Sequence, residues 1–141
     1  DMSSRPAPQL GFSFEYLMWI FTRISAIFLI LLAIVGISGA FWMGARMHLD
    51  VGALMRWTFF PNDYHVVNSE IPDITLGWTS AYWKVMQMLI VFFGVTHGAN
   101  GLRVVLEDYL GRTWLRPFLR GLLFLFWLFM LIVALYVILT V

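Results

Sequence analysis

The 141-residue chain is 61% hydrophobic and 12% charged, with a formal net charge of +1, thirteen Phe, seven Trp and no cysteine. Soluble domains carry about 25% charged residues, so the polar coat is about half the usual, and the near-neutral balance argues against a nucleic-acid partner. The absence of cysteine excludes disulfides, Cys-ligated zinc and Cys-ligated iron–sulfur clusters from this chain.

The few charges are clumped. Ile24 to Ala45 is a run of 22 residues without a formal charge, and Gly121 to Val141 is a run of 21. Val85 to Leu102 gives 18 more, with His97 as its one ionisable group. A bilayer core of about 30 Å takes roughly 20 residues of helix. The sequence therefore predicts an all-α membrane protein with three transmembrane helices in a single membrane-anchor domain. A soluble bundle with a buried central helix fits the charge distribution poorly. A barrel would alternate apolar and polar residues, whereas "AIFLILLAIVGI" is apolar all round. The first apolar run also exceeds the 7–15 residues usual in a signal peptide.

Helix one is expected over about 14–44. Arg23 stands near its start, where a long cation can snorkel to the interface or neutralise an anionic group. Ser25 lies two residues deeper, and serine in a helix more often bonds its own backbone than a ligand. The longest polar segment, 45–80, follows as a loop. Its Pro61-Asn62-Asp63 and Pro72-Asp73 are turn material, "DVGALMRWTFF" suits a short interfacial helix, and His48 and His65 read as solvated. Helix two is expected over about 81–108, and helix three over about 117–141, opening on Pro117. The brief connection "YLGRTWLRP" makes these two helices antiparallel neighbours.

Lys and Arg sort by side. Arg5, Arg23, Arg103, Arg112, Arg116 and Arg120 fall with the N-terminus and the second loop, and Arg46, Arg56 and Lys84 fall opposite. That bias places the N-terminus inside.

The stretch "THGANGLRVVLEDYLG" of helix two carries the unusual chemistry. His97 falls near mid-membrane, and Asp108 lies about 16 Å further along and about 20° around the helix. Asn100 and Val104 fill the stripe between them, and Thr96, Asn100, Arg103 and Glu107 form a neighbouring polar stripe. Polar groups at such depth are costly and usually face protein or a cavity. For His97 the ordinary role is an interhelical hydrogen bond; the sharper one is ligation of a b-type haem whose second ligand comes from another helix. A proton relay is less suited, because no second intramembrane carboxylate sits at its level. Gly94, Gly98 and Gly101 clear one side of the helix, for a haem or for close helix packing. Tyr109, Trp114 and Trp127 fit an interfacial aromatic belt.

"RISAIFLILL" followed by "HGANGLRVVLEDYLG" resembles the hydrophobic membrane anchors of succinate:quinone oxidoreductase, respiratory complex II. The likeness is greatest to the small D-type anchor that pairs with a cytochrome b556-type subunit, and it covers essentially the whole chain. The resemblance implies one part of a heteromeric helix bundle in the cell inner (cytoplasmic) membrane, with a cytoplasmic N-terminus. His97 would be one axial ligand of a haem b shared with a second membrane anchor, a cytochrome b subunit, with Arg23 and Arg103 near its propionates. Tyr109 would hydrogen-bond the quinone substrate, with Asp108, Arg23 and Ser25 around it. FAD and iron–sulfur clusters would reside in a flavoprotein subunit and an iron–sulfur subunit docked on the inner face, and the whole complex could form a trimer. The chain itself would be non-catalytic in succinate oxidation, having neither a dinucleotide fingerprint nor a cysteine. Where some relatives carry another histidine in helix one, this chain has "AIVGISGA", which argues against a second haem ligand here. Two other roles remain: a haem-free structural anchor of a fumarate reductase-type or other dehydrogenase complex, and a cytochrome b subunit of a formate or hydrogenase type. The latter class uses several histidines on one chain.

Overall fold

The computed structural model describes residues 8, 10–42, 50–60 and 76–140, with the side chains of the last stretch from Ser80 onward. It contains four helices: α1 (Phe14–Trp42), α2 (Val51–Phe59), α3 (Leu76–Leu110) and α4 (Leu115–Thr140). Three of them, α1, α3 and α4, are long and apolar enough to cross a membrane. At 1.5 Å per residue, the 29, 35 and 26 residues of these helices all exceed a hydrocarbon core of about 30 Å. The chain is an all-α, multi-pass membrane protein.

Local chemistry sets the helix ends. The Ser13 hydroxyl accepts from the Tyr16 N–H at 3.2 Å, and Glu15 sits in the first turn of α1, where the helix dipole favours an acid. Asp50 caps α2 in the same way, accepting from the Ala53 N–H at 2.7 Å. The chain leaves α3 through Gly111 at φ +62°, and its N–H returns to the Glu107 carbonyl. That left-handed stop is inexpensive for glycine alone.

Some boundaries differ from those expected. Helix α3 is longer at both ends, because the polarity of a sequence marks where the bilayer ends and not where the helix does. Helix α4 begins two residues before Pro117, which therefore stands inside the first turn, where a missing N–H costs no hydrogen bond. The short helix expected in the loop is present as α2. Residues 45–49 and 61–75 of that loop, with the turn prolines, His48 and His65, lie outside the described residues, as do Gly44 and Val141 at the expected ends of helices one and three.

Helix α3 is the central member, packing on both α1 and α4. The two ends of the bundle are held differently. At the end bearing α2, Ala40, Trp57 and Trp83 form a small core, with the Trp rings edge-on at 5.6 Å. Phe59 lies across Gly36 of α1, where an added Cβ would stand 3.0 Å from its ring, with the buried Thr58 beside it. Gly36→Leu should therefore destabilise the protein by about 1–3 kcal/mol through overpacking. The thermal unfolding midpoint in detergent should fall, while Gly121→Leu, where an added Cβ meets nothing within 4 Å, should not lower it. The other end is held by charge. Between them most large apolar side chains of α1 and α4 are exposed, and α4 buries only Ile138 among its residues. Surfaces of that kind are suited to lipid or to other helices.

Candidate functional site

Helices α1 and α3 run antiparallel and are joined by polar rungs. Ser25 Oγ lies 2.8 Å from His97 Nδ1. One turn nearer the charged end, Asn100 Nδ2 donates to Thr22 Oγ1 at 2.7 Å, and the Thr22 hydroxyl donates in turn to the Met18 carbonyl. The Asn100 carbonyl oxygen then accepts two bonds from Arg103, from Nε at 3.1 Å and Nη2 at 3.0 Å. The remaining arm of Arg103 donates to Glu107 at 3.1 Å.

Glu107 is the hub of the charged end. It is 3% exposed, yet Arg120 of α4 reaches it through Nε at 2.5 Å and Nη2 at 3.3 Å. Arg120 also binds Glu15 of α1 at 2.6 Å, and Arg116 stands 3.9 Å from Glu107. Phe14 lies beneath the Arg103 and Arg120 guanidiniums. A buried carboxylate is tolerated only when paired and hydrogen-bonded, and these contacts meet that requirement while tying three helices together.

Helical geometry explains which side chains turn inward. At about 100° per residue, Thr96, Asn100, Arg103 and Glu107 lie about 60° to 120° to one side of His97, facing α1 and α4. Asp108 lies about 20° to the other side, facing out. His97 stands on the seam and is half-buried. It is 17 residues from Ser80 and 13 from Leu110, close to the middle of its candidate span. Asn100, which both expected stripes include, belongs with Thr96, Arg103 and Glu107 on the interior side, while Asp108 is exposed.

The expected site residues separate into three groups. Ser25 and His97 meet. Arg23 and Arg103 both line a polar cavity of about 410 Å³ between α1 and α3, with Trp19, Thr22 and Asn100. Within it Arg103 is committed to Asn100 and Glu107. Arg23 is exposed, stacked 3.7 Å from the Trp19 ring centroid and bonded to the Trp19 carbonyl, so among the described residues most of its donors remain available. Asp108 and Tyr109 are not among the residues lining that cavity; both are exposed, Tyr109 to 87%. Ser25, expected beside the quinone, is completely buried, with its Oγ against His97 Nδ1. Trp127, expected in the aromatic belt, is instead in the middle of α4 and donates to Thr96 Oγ1 at 2.8 Å. An indole N–H at that depth needs an acceptor, and Thr96 supplies it.

Glu15 and Thr22 carry no expected role from sequence, Arg120 counts there only toward the positive-inside bias, and Glu107 is only a member of a polar stripe. The available signal was an acid at i+4 from Arg103 within an otherwise basic end, which demands pairing.

On the open side of His97, Cβ atoms built at Gly98 and Gly101 would meet nothing within 4 Å, while one at Gly94 would approach Leu29 of α1. Among the described residues nothing bonds His97 Nε2, and no three His, Asp, Glu or Cys side chains converge as a metal-ion site. Comparison of the chain with protein-family models, with curated proteins and with solved structures finds no match.

Proposed function

We propose that this chain is a membrane-anchor subunit of a succinate:quinone oxidoreductase, contributing one haem b ligand and part of a quinone-reduction site. The observation that carries the proposal is His97: a half-buried imidazole near mid-span, held from inside through Nδ1, with Nε2 unbonded among the described residues and glycines clearing the side beside it. Those residues fit a haem, which would supply a one-electron carrier within the membrane. His97 would hold it through Nε2, and Arg23, whose donors are largely free, would neutralise an anionic substituent. Arg103 contributes by fixing Asn100 and so the register of α1 on α3.

The charged end would lie on the cytoplasmic side of the inner membrane by the positive-inside rule. Tyr109 and Asp108, exposed on the last turn of α3, would form one wall of the quinone pocket, with partner subunits completing it. Quinone reduction consumes two electrons and two protons, so a wet interfacial pocket suits the chemistry. The exposed α1 and α4 faces leave room for a second anchor and for lipid. The iron–sulfur and flavoprotein subunits would dock at the end bearing Arg112 and Arg116.

A second reading, a haem-free structural anchor, is favoured by one fact: the Ser25 contact already gives His97 an interhelical hydrogen bond. Purifying the assembly by a tag on this chain separates the readings. A flavoprotein, an iron–sulfur protein and a b-type spectrum are expected together. The soluble subunits without haem would select the structural anchor, and their absence would remove the proposal. Within the assembly, Tyr109→Phe should slow quinone reduction by about 10²-fold, the lower end for a positioned proton donor. Succinate oxidation by a soluble electron acceptor should continue at its normal rate. Equal loss of both activities would assign Tyr109 to docking, and loss of neither would leave it an aromatic-belt residue.

A further inference from the structure

We propose that Ser25 sets the tautomer of His97, placing the proton on Nδ1 and making Nε2 the basic, ligating nitrogen. This rests on the reading of His97 as a haem ligand and adds to it the residue that tunes the ligand.

The donors and acceptors around Ser25 fix the assignment. A serine hydroxyl has one proton and two lone pairs. Ser25 Oγ lies 3.2 Å from the Thr22 carbonyl oxygen and 2.8 Å from His97 Nδ1. The carbonyl can only accept, so the hydroxyl proton goes to Thr22. What Ser25 then presents to the imidazole is a lone pair, and Nδ1 must carry the hydrogen that meets it. The opposite assignment, with the hydroxyl donating to Nδ1, would put the imidazole proton on Nε2. Among the described residues that N–H has no acceptor, and an unsatisfied donor within a bilayer costs several kcal/mol. Ser25 is 0% exposed, so water does not compete for its hydroxyl.

The position of Ser25 is itself fixed. Thr22, one turn away on α1, is held by Asn100, and Asn100 by two bonds from Arg103. The same network that joins the helices thus sets the hydroxyl against the ring. Donation of Nδ1–H to an oxygen fixes ring orientation and raises the basicity of the other nitrogen. A more basic axial ligand favours the ferric over the ferrous ion, so Ser25 lowers the reduction potential.

The test uses the intact, haem-loaded assembly with Ser25→Ala, the near-isosteric Ser25→Cys, and His97→Ala. Ser25→Ala should keep a low-spin spectrum but retain haem about 10- to 100-fold more weakly, as measured by transfer to excess apomyoglobin. Its reduction potential should rise, by about 59 mV for each tenfold weakening of ferric relative to ferrous binding. Ser25→Cys, whose sulfur accepts weakly, should fall between Ser25→Ala and the unaltered protein. If Ser25→Ala changes neither quantity while His97→Ala loses the haem, the role of Ser25 is overturned and the haem reading stands. If His97→Ala leaves the spectrum unchanged, both fall. Should Ser25→Ala fail to assemble, Ser25→Cys decides: an unshifted potential overturns the proposal and a raised one supports it.

Discussion

Glu107→Leu should cost the helix bundle about 3 kcal/mol, the lower end of the range for removing one partner from a buried ion pair. Glu107 is almost wholly buried and takes bonds from Arg103 and Arg120, with Arg116 near it. Leucine would fill most of the space but leave the buried Arg103 guanidinium without its closest anion. Glu15 remains 3.5 Å from Arg103 and 2.6 Å from Arg120, which is why the upper end of the range is not expected. Glu15→Ala should cost at most about 1 kcal/mol, because its carboxylate is half exposed and solvent screens the pair. Adding Arg103→Met to Glu107→Leu should restore part of the loss, since exchanging a whole buried pair for apolar groups is often nearly neutral. Denaturant unfolding in mixed micelles measures all four proteins. Equal stability of Glu107→Leu and the unaltered chain would mean that the charged end does not hold the helices together.

That cluster is specified by how three helices meet and not by any local pattern in the sequence. The three spanning helices were legible because uncharged runs of 18 to 22 residues have one inexpensive environment, and their sum of apolar surface leaves little choice of fold. The short α2 was legible from Asp50 before an apolar segment. Helix ends were less so, since α3 continues through residues whose polarity suits water. For the site, the depth of His97 follows from rise per residue, but its direction depends on which neighbours α3 meets. A shift of about 60° separates Asn100 from His97, so periodicity lets Asn100 join either of two stripes and only the packing of α3 decides between them. The Ser25–His97 contact joins residues 72 apart, and nothing in either local pattern fixes the antiparallel register that brings them together. Trp127 shows the same limit. Its place at mid-span follows from where α4 begins, and its partner Thr96 only from how α4 lies on α3.

Under the proposed function, His97→Ala should abolish the low-spin b-type absorbance of the assembly without dispersing it. Within this chain the substitution removes one interhelical hydrogen bond, worth about 0.6–2 kcal/mol in a membrane. The Thr22–Asn100 rung and the Arg103–Glu107–Arg120 cluster remain, so α1 and α3 should keep their register. Loss of the spectrum would then report lost ligation and not a collapsed bundle. The proposed flavoprotein and iron–sulfur subunits should still co-purify and oxidise succinate with a soluble acceptor, since their cofactors would lie outside this chain. Quinone reduction should suffer less than the spectrum if Tyr109 and Asp108 act at the charged end, because Leu110, the residue after Tyr109, is 13 residues, about 20 Å of helix, from His97. An unchanged oxidised and reduced spectrum would reject His97 as the ligand and leave its bond to Ser25 as its whole role. Loss of the soluble subunits together with the haem would show that the side of α3 beside Gly98 and Gly101 serves assembly, with the haem as the structural element that seats there.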